Sequence, residues 1–174
     1  MTDPTWLAHA RTKIGIRETP GPANNSQIMS WAARARGWLG AAYGADSVPW
    51  CGLFIAECMH AAGFKPPRSF VGLRAKAWAS WGIDIPINIT RPPLGTIAVF
   101  GRVGGGHVGI IAGVYRNGDL DILGGNQADA VNQRRFARHR KEGPLIAFRW
   151  PAGAAMGEPA PWIDGAGVAT TGEA

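Results

Sequence analysis

The sequence predicts one α+β domain, with N-terminal helices packed on a small antiparallel sheet. Three observations predict it. Apolar residues recur at helical spacing up to Trp81. From Thr96 to Trp150 the period changes to alternation and short apolar runs. Between two such runs stands Asn117-Gly118, a hairpin signal. Helices first and strands second is an α+β order.

The elements follow in chain order. Trp6, Leu7, Ala10 and Ile14 fall on one face of a first helix, with Pro4 near its start. GIRETPGPANN is rich in turn residues and reads as a loop. Ile28, Trp31, Ala32 and Ala35 mark one face of a second helix over 26–36. GWLGAAYGADSVP is a further loop. A third helix begins near Trp50 and stops at Gly63, a C-cap residue type. KPPRS breaks the chain, and a fourth helix is expected over 71–81. Leu73, Ala77 and Trp78 would pack there, while Arg74 and Lys76 face solvent. Strands are expected over 96–100, over 107–114, at Leu120, Ile122 and Leu123, and over 145–150, where Pro151 ends the last. No internal repeat is present. Residues 152–174 are mostly Ala, Gly, Pro and Thr and are expected to be a flexible tail on a domain of residues 1–151.

Composition narrows the function. Of 174 residues, 46% are hydrophobic and 17% charged, which excludes wholesale disorder. The net charge of +6 divides into +9 before residue 152 and −3 after it. A basic body suits an anionic partner or simple solubility. The run RRFARHRK could dock an anionic wall polymer or the outer-membrane surface, or be a solvated face. It holds one aromatic and no nucleic-acid module, so no nucleic-acid partner is expected. MTDPTWLAHARTKIG lacks an apolar signal core, and no stretch approaches the roughly 20 apolar residues of a membrane span. Synthesis in the cytoplasm, as a monomer, is the expectation.

The two cysteines need separate explanations. Cys51 stands in the first turn of the third helix, where free N–H groups and the helix dipole favour a thiolate. Cys58 is seven residues on, roughly 10 Å along the axis, too far for a disulfide. It reads as a small core residue. Four histidines could serve a cysteine nucleophile. His60 points to the other side of the cysteine helix, and His9 and His139 lie in basic surroundings. His107 follows three glycines and opens a strand, which leaves room around the imidazole. Asn126, in LGGNQ after the hairpin's return strand, can come near His107 and accept its N–H. Cys51, His107 and Asn126 are therefore the candidate catalytic set.

The order of these residues resembles the CHAP and NlpC-type cysteine peptidases, which are papain-like peptidoglycan hydrolases. DSVPWCGLFIAECMHAAGF, GTIAVF, GGGHVGIIAGV and ILGGNQADAVN resemble a phage- and prophage-associated branch, over residues 6–151. The resemblance implies a papain-like fold, with Cys51 as nucleophile and His107 as general base. Many relatives carry an acid two positions before the Asn. Here that position is Gly124, which leaves Asn126, with Gln127 or Asp46 as substitutes. Some relatives hold calcium in an Asp-rich loop. Only Asp46 is present here, so no metal and no cofactor is expected. Trp50, Glu18, Asn24, Asn25 and Gln127 are expected along the substrate groove.

The implied activity is cleavage of an amide in a stem peptide or cross-link, in endolysin-like lysis after release by a holin or by injection. An interbacterial wall-degrading toxin and a non-catalytic wall-binding or virion module are the alternatives. The choice between endopeptidase and amidase stays open.

Overall fold

The structure is a computed structural model that describes residues 2–39, 43–68, 70–139 and 143–165. Three helices come first: α1 (Thr5–Arg11), α2 (Ser26–Leu39) and α3 (Cys51–Ala61). Two 3-10 helices, Phe70–Leu73 and Ala75–Ser80, follow. Seven strands complete the chain: β1 (Ile83–Ile85), β2 (Ile97–Arg102), β3 (Gly105–Tyr115), β4 (Leu120–Gly124), β5 (Asn132–Phe136), β6 (Leu145–Trp150) and β7 (Trp162–Ile163). They form one sheet in the order β1-β6-β2-β3-β4-β5, antiparallel throughout, with β7 added parallel to β3. The expected α+β architecture is the one observed.

The apolar faces read from periodicity are the buried ones. Trp6, Leu7 and Ala10 are buried on α1, and Ile28, Trp31, Ala32 and Ala35 on α2. Ile14 is a correction: α1 ends at Arg11, and Ile14 lies exposed beyond it. On α3 every residue from Cys51 to Met59 is buried, because α1, α2 and the sheet all pack on it. Glu57, buried on α3, is paired with Arg34 of α2 at 2.7 Å. Five tryptophans, Trp6, Trp31, Trp50, Trp78 and Trp150, are core residues. Cys58 is fully buried, and burial pushes its thiol pKa up. Both cysteines are free.

The expected fourth helix is a pair of 3-10 helices, interrupted at Arg74, whose backbone is extended. Its packing explains the break. Gly52, in the first turn of α3, lies under the Leu73 carbonyl, and a Cβ there would stand 2.2 Å from that oxygen. The backbone around Leu73 thus sits directly on the start of α3, which seats the following residues beside Cys51. Gly52→Ala is expected to cost about 1–3 kcal/mol, because the clash is with backbone rather than with a movable side chain. Urea denaturation of the two proteins, compared by midpoint, measures it.

The expected tail boundary also moves. β3 runs past the end of β2, where Ile97 faces Ile110, and so leaves backbone groups beyond Ile111 to pair. Residues 161–163 take that edge, and residues 158–160 bond to residues 92–94. Val114 N donates to Pro161 O, Ala160 N to Pro92 O, and β7 pairs with β3. Ala160 is fully buried, and the guanidinium groups of Arg91 and Arg116 each lie 5.1 Å from the Trp162 ring. Residues 152–165 are thus packed on the body. The remainder of the expected tail, 166–174, lies outside the described residues.

Part of RRFARHRK is held within the fold. Phe136 is core, Arg135 pairs with Asp119 at 2.8 Å, and Arg138 donates to the carbonyls of Gly118, Ile89 and Thr90. These bonds occupy two of the run's basic side chains, Arg135 and Arg138. Arg140 and Lys141 lie outside the described residues.

Candidate active site

One cavity of about 680 Å³ brings Cys51, His107 and Asn126 together. Cys51 enters from the first turn of α3. Trp50, the residue before that helix, makes no side-chain capping bond to it. His107 enters from β3, paired across the sheet with Phe100 of β2. Its ring stacks on Phe136 of β5 at 5.3 Å, with 7° between the planes. That contact fixes the plane of the imidazole, which is 6% exposed.

The remaining freedom of the ring is removed by Gln127. Its Oε1 lies 3.0 Å from His107 Nε2. The rest of the Gln127 amide decides what this contact is. Gln127 Nε2 donates to Asn132 O and to Asn132 Oδ1, each at 2.8 Å, and to Ile122 O at 3.4 Å. Asn132 Nδ2 in turn donates to Gln127 O at 2.7 Å. The amide nitrogen is thereby turned to three acceptors, and its oxygen to the histidine. An amide oxygen only accepts, so His107 Nε2 carries the hydrogen. In the neutral ring Nδ1 then holds the lone pair.

This corrects the third member of the candidate set. The histidine's partner is Gln127, fully buried, not Asn126. After Gly124 the chain turns, and Asn126 takes a left-handed conformation (φ 57°) that leaves its side chain on the cleft wall. Gln127, one residue on, goes inward. Gly124 makes room for it: a Cβ there would stand 2.6 Å from Gln127 Oε1 and 3.1 Å from His107 Nε2. The position where many relatives carry an acid is empty here, and the Gln127 amide fills the space beside the imidazole.

Asp46 is also removed from the alternatives. Its Oδ2 accepts the backbone N–H of Thr19 at 2.9 Å and of Asn25 at 2.7 Å, which ties two loops together. The expected groove residues are engaged elsewhere as well. Trp50 is fully buried against Trp31, and its indole N–H donates to Glu18 Oε1 at 2.7 Å. Burial raises the Glu18 carboxyl above the ordinary range. Asn24 Oδ1 accepts from Asp46 N at 2.9 Å. Asn25 Oδ1 accepts from Gln27 N and Ile28 N at the start of α2, and its Nδ2 donates to Arg17 O. None of Trp50, Glu18, Asn24, Asn25 and Gln127 lines the cavity. An Asx turn, a buried indole and a half-buried carboxylate are loop-building features, and spacing alone does not separate them from a groove.

The other residues that line it carried no site signal in the first reading of the sequence. They include Tyr43, Val48, Pro49 and Leu73 as an apolar part, and Arg74, Lys76 and Arg102 as a basic part. Tyr43 is held by its hydroxyl, which donates to Val48 O, and burial raises its pKa. The usable signal was the glycine run 104–106, a stretch of bare backbone with Arg102 just before it.

Residues 43–126 match the family model of the CHAP domain. No curated protein and no solved structure gave a significant match. The matched segment contains Cys51, His107 and the turn to Asn126, and it stops one residue short of Gln127. Over this segment the chain is similar to the CHAP domain, whose members are in general amidases or peptidases of peptidoglycan.

Proposed function

We propose that the protein cleaves an amide bond in the stem peptide or cross-link of bacterial peptidoglycan by cysteine–histidine nucleophilic catalysis, in phage-type lysis. The observation that carries this reading is the shared cleft: a helix-start thiol and an imidazole of defined tautomer open into one cavity.

The chemistry follows from the tautomer. His107 donates Nε2–H to Gln127 and keeps Nδ1 as the basic nitrogen, which takes the proton of Cys51. The thiolate attacks the scissile carbonyl, and a C–S bond forms while the carbonyl π pair moves to oxygen. The N–H of Cys51, at the positive end of α3, is placed to hold that oxyanion. On collapse the C–N bond breaks, and the Nδ1 proton of the imidazolium goes to the leaving amine. Water then gives a proton to Nδ1 and attacks the thioester, releasing the acid and the thiol. Asn126, on the cleft wall, is a hydrogen-bonding group for the substrate backbone.

Mass spectrometry of purified peptidoglycan digested by the protein tests the reading. New stem-peptide termini are expected. Their identity assigns the scissile bond: a whole stem with a free N-terminus, split from the lactyl carboxyl of the glycan strand, means an amidase, and a shortened stem or opened cross-link an endopeptidase. An undigested wall overturns the proposal.

A further inference from the structure

We propose that Glu18 is a positioning residue for the hydrolysis, one residue that holds the start of the thiol helix and the turn carrying Gln127 at a fixed spacing. The proposal rests on the hydrolase reading above and deepens it to a residue outside the cleft.

The turn needs a brace. Asn126, Ala128 and Asp129 all have left-handed backbones, with φ of 57°, 50° and 59°. Asn and Asp tolerate that conformation, but Ala128 has no polar side chain to stabilise it. Such residues persist where the surrounding structure over-determines them. One bond closes the turn from within, Gln127 N to Ala130 O at 3.0 Å. The others come from the loop after α1. Gly15 N donates to Val131 O at 2.9 Å, Val131 N to Ile16 O at 2.8 Å, and Glu18 N to Asp129 O at 2.9 Å. Arg17 faces Ala130 between them. Residues 15–18 therefore run antiparallel along residues 129–131, and the Glu18 N–H is the rung nearest the left-handed turn.

The side chain of the same residue reaches the other half of the site. Glu18 Oε1 accepts the Trp50 indole N–H at 2.7 Å. Trp50 directly precedes Cys51 and is fully buried. An indole has one such hydrogen, and this bond uses it. The Trp50 ring also lies against the turn, since a Cβ on Gly125 would stand 2.6 Å from its Cζ3. A shift of Trp50 would thus be felt both at Cys51 and two residues before Gln127. Neither Glu18 nor Trp50 lines the cavity, so their loss acts on the spacing of the reacting groups rather than on substrate binding.

The bond needs an acceptor, not a charge. Burial raises the Glu18 carboxyl above its ordinary range, the Trp50 bond lowers it, and the carboxylates of Asp129 and Asp46 raise it further. An amide oxygen accepts the same N–H without that charge.

The experiment uses the full chain and purified stem peptides. Glu18→Ala is expected to lower kcat about 10-fold with KM within about 2-fold of wild type. Glu18→Gln should restore kcat to within about 2-fold. Trp50→Phe, which keeps a ring but removes the donor, should resemble Glu18→Ala, and the double variant should be no worse than either single one, because one bond is lost once. Alkylation of Cys51 by iodoacetamide gives a readout apart from cleavage, as Cys58 is fully buried. At pH 7 it should be about 3- to 10-fold slower in Glu18→Ala and near wild type in Glu18→Gln. Wild-type kcat and alkylation in a folded Glu18→Ala protein, with a lower Tm alone, overturn the positioning role and leave the hydrolase reading standing. So does a Glu18→Gln protein as slow as Glu18→Ala. Where Glu18→Ala does not fold, wild-type kcat in Trp50→Phe overturns it. A wild-type protein that cleaves no peptide overturns the hydrolase reading and the role of Glu18 with it.

Discussion

Cys51→Ala will lower kcat/KM for stem-peptide cleavage by at least about 10,000-fold, and His107→Ala by a similar factor. The double variant will be scarcely worse than either single one. The reason is that the two groups act as a unit: a thiol without its base is a weak nucleophile, and a base without the thiol has nothing to activate. Both side chains are largely buried, so circular dichroism and thermal melting must accompany the kinetics. Cys51→Ser keeps the shape of the site and should be nearly as inactive. Cys58→Ala is the contrasting case: it loses stability through a small core cavity, with catalysis intact in the folded fraction. A folded Cys51→Ala protein that still cut the substrate would remove Cys51 as nucleophile.

Gln127→Ala is expected to lower kcat by about 10- to 100-fold with little change in KM. The side chain does not line the cleft, so substrate binding should hardly notice its loss. What is lost is the acceptor for His107 Nε2 and, with it, the preference for the tautomer that leaves Nδ1 basic. Stacking on Phe136 fixes the plane of the ring but not which nitrogen carries the proton. Asn132→Ala should act in the same direction and less strongly, about 3- to 10-fold. It removes Oδ1 but leaves the carbonyls of Ile122 and residue 132 to hold the Gln127 amide. A graded loss in kcat, larger for position 127 than for 132, supports the relay. Wild-type kcat in a folded Gln127→Ala protein would show that the histidine needs no partner.

The difference between Asn126 and Gln127 shows where local reading stops. Both are amides, both follow a Gly-Gly pair, and either can reach a histidine on the neighbouring strand. The choice is made by one left-handed residue, which sends adjacent side chains to opposite sides of the turn. It is also made by Asn132 on β5, which waits on the inner side with two polar atoms. Neither is a property of residues 123–127 alone. The groove residues were misplaced for a related reason. Glu18 and Asn25 carry the polar types of a binding loop, yet their partners, Trp50 and the start of α2, absorb them. Arg74 and Lys76 are exposed, as their helical spacing implied, but the solvent they face is that of the cleft.

The sequence by itself determined which residues carry apolar faces, where the period changes from helix to strand, and which cysteine stands at a helix start. These are local quantities, set by side-chain spacing and by the polarity of a helix end. Only the tertiary structure decided which amide orients His107, that residues 152–165 belong to the body, and that the cleft is lined by Arg74, Lys76 and Arg102. Each of those depends on a partner far along the chain, and a spacing rule cannot name a partner. Packing and hydrogen-bond satisfaction select it once the elements meet.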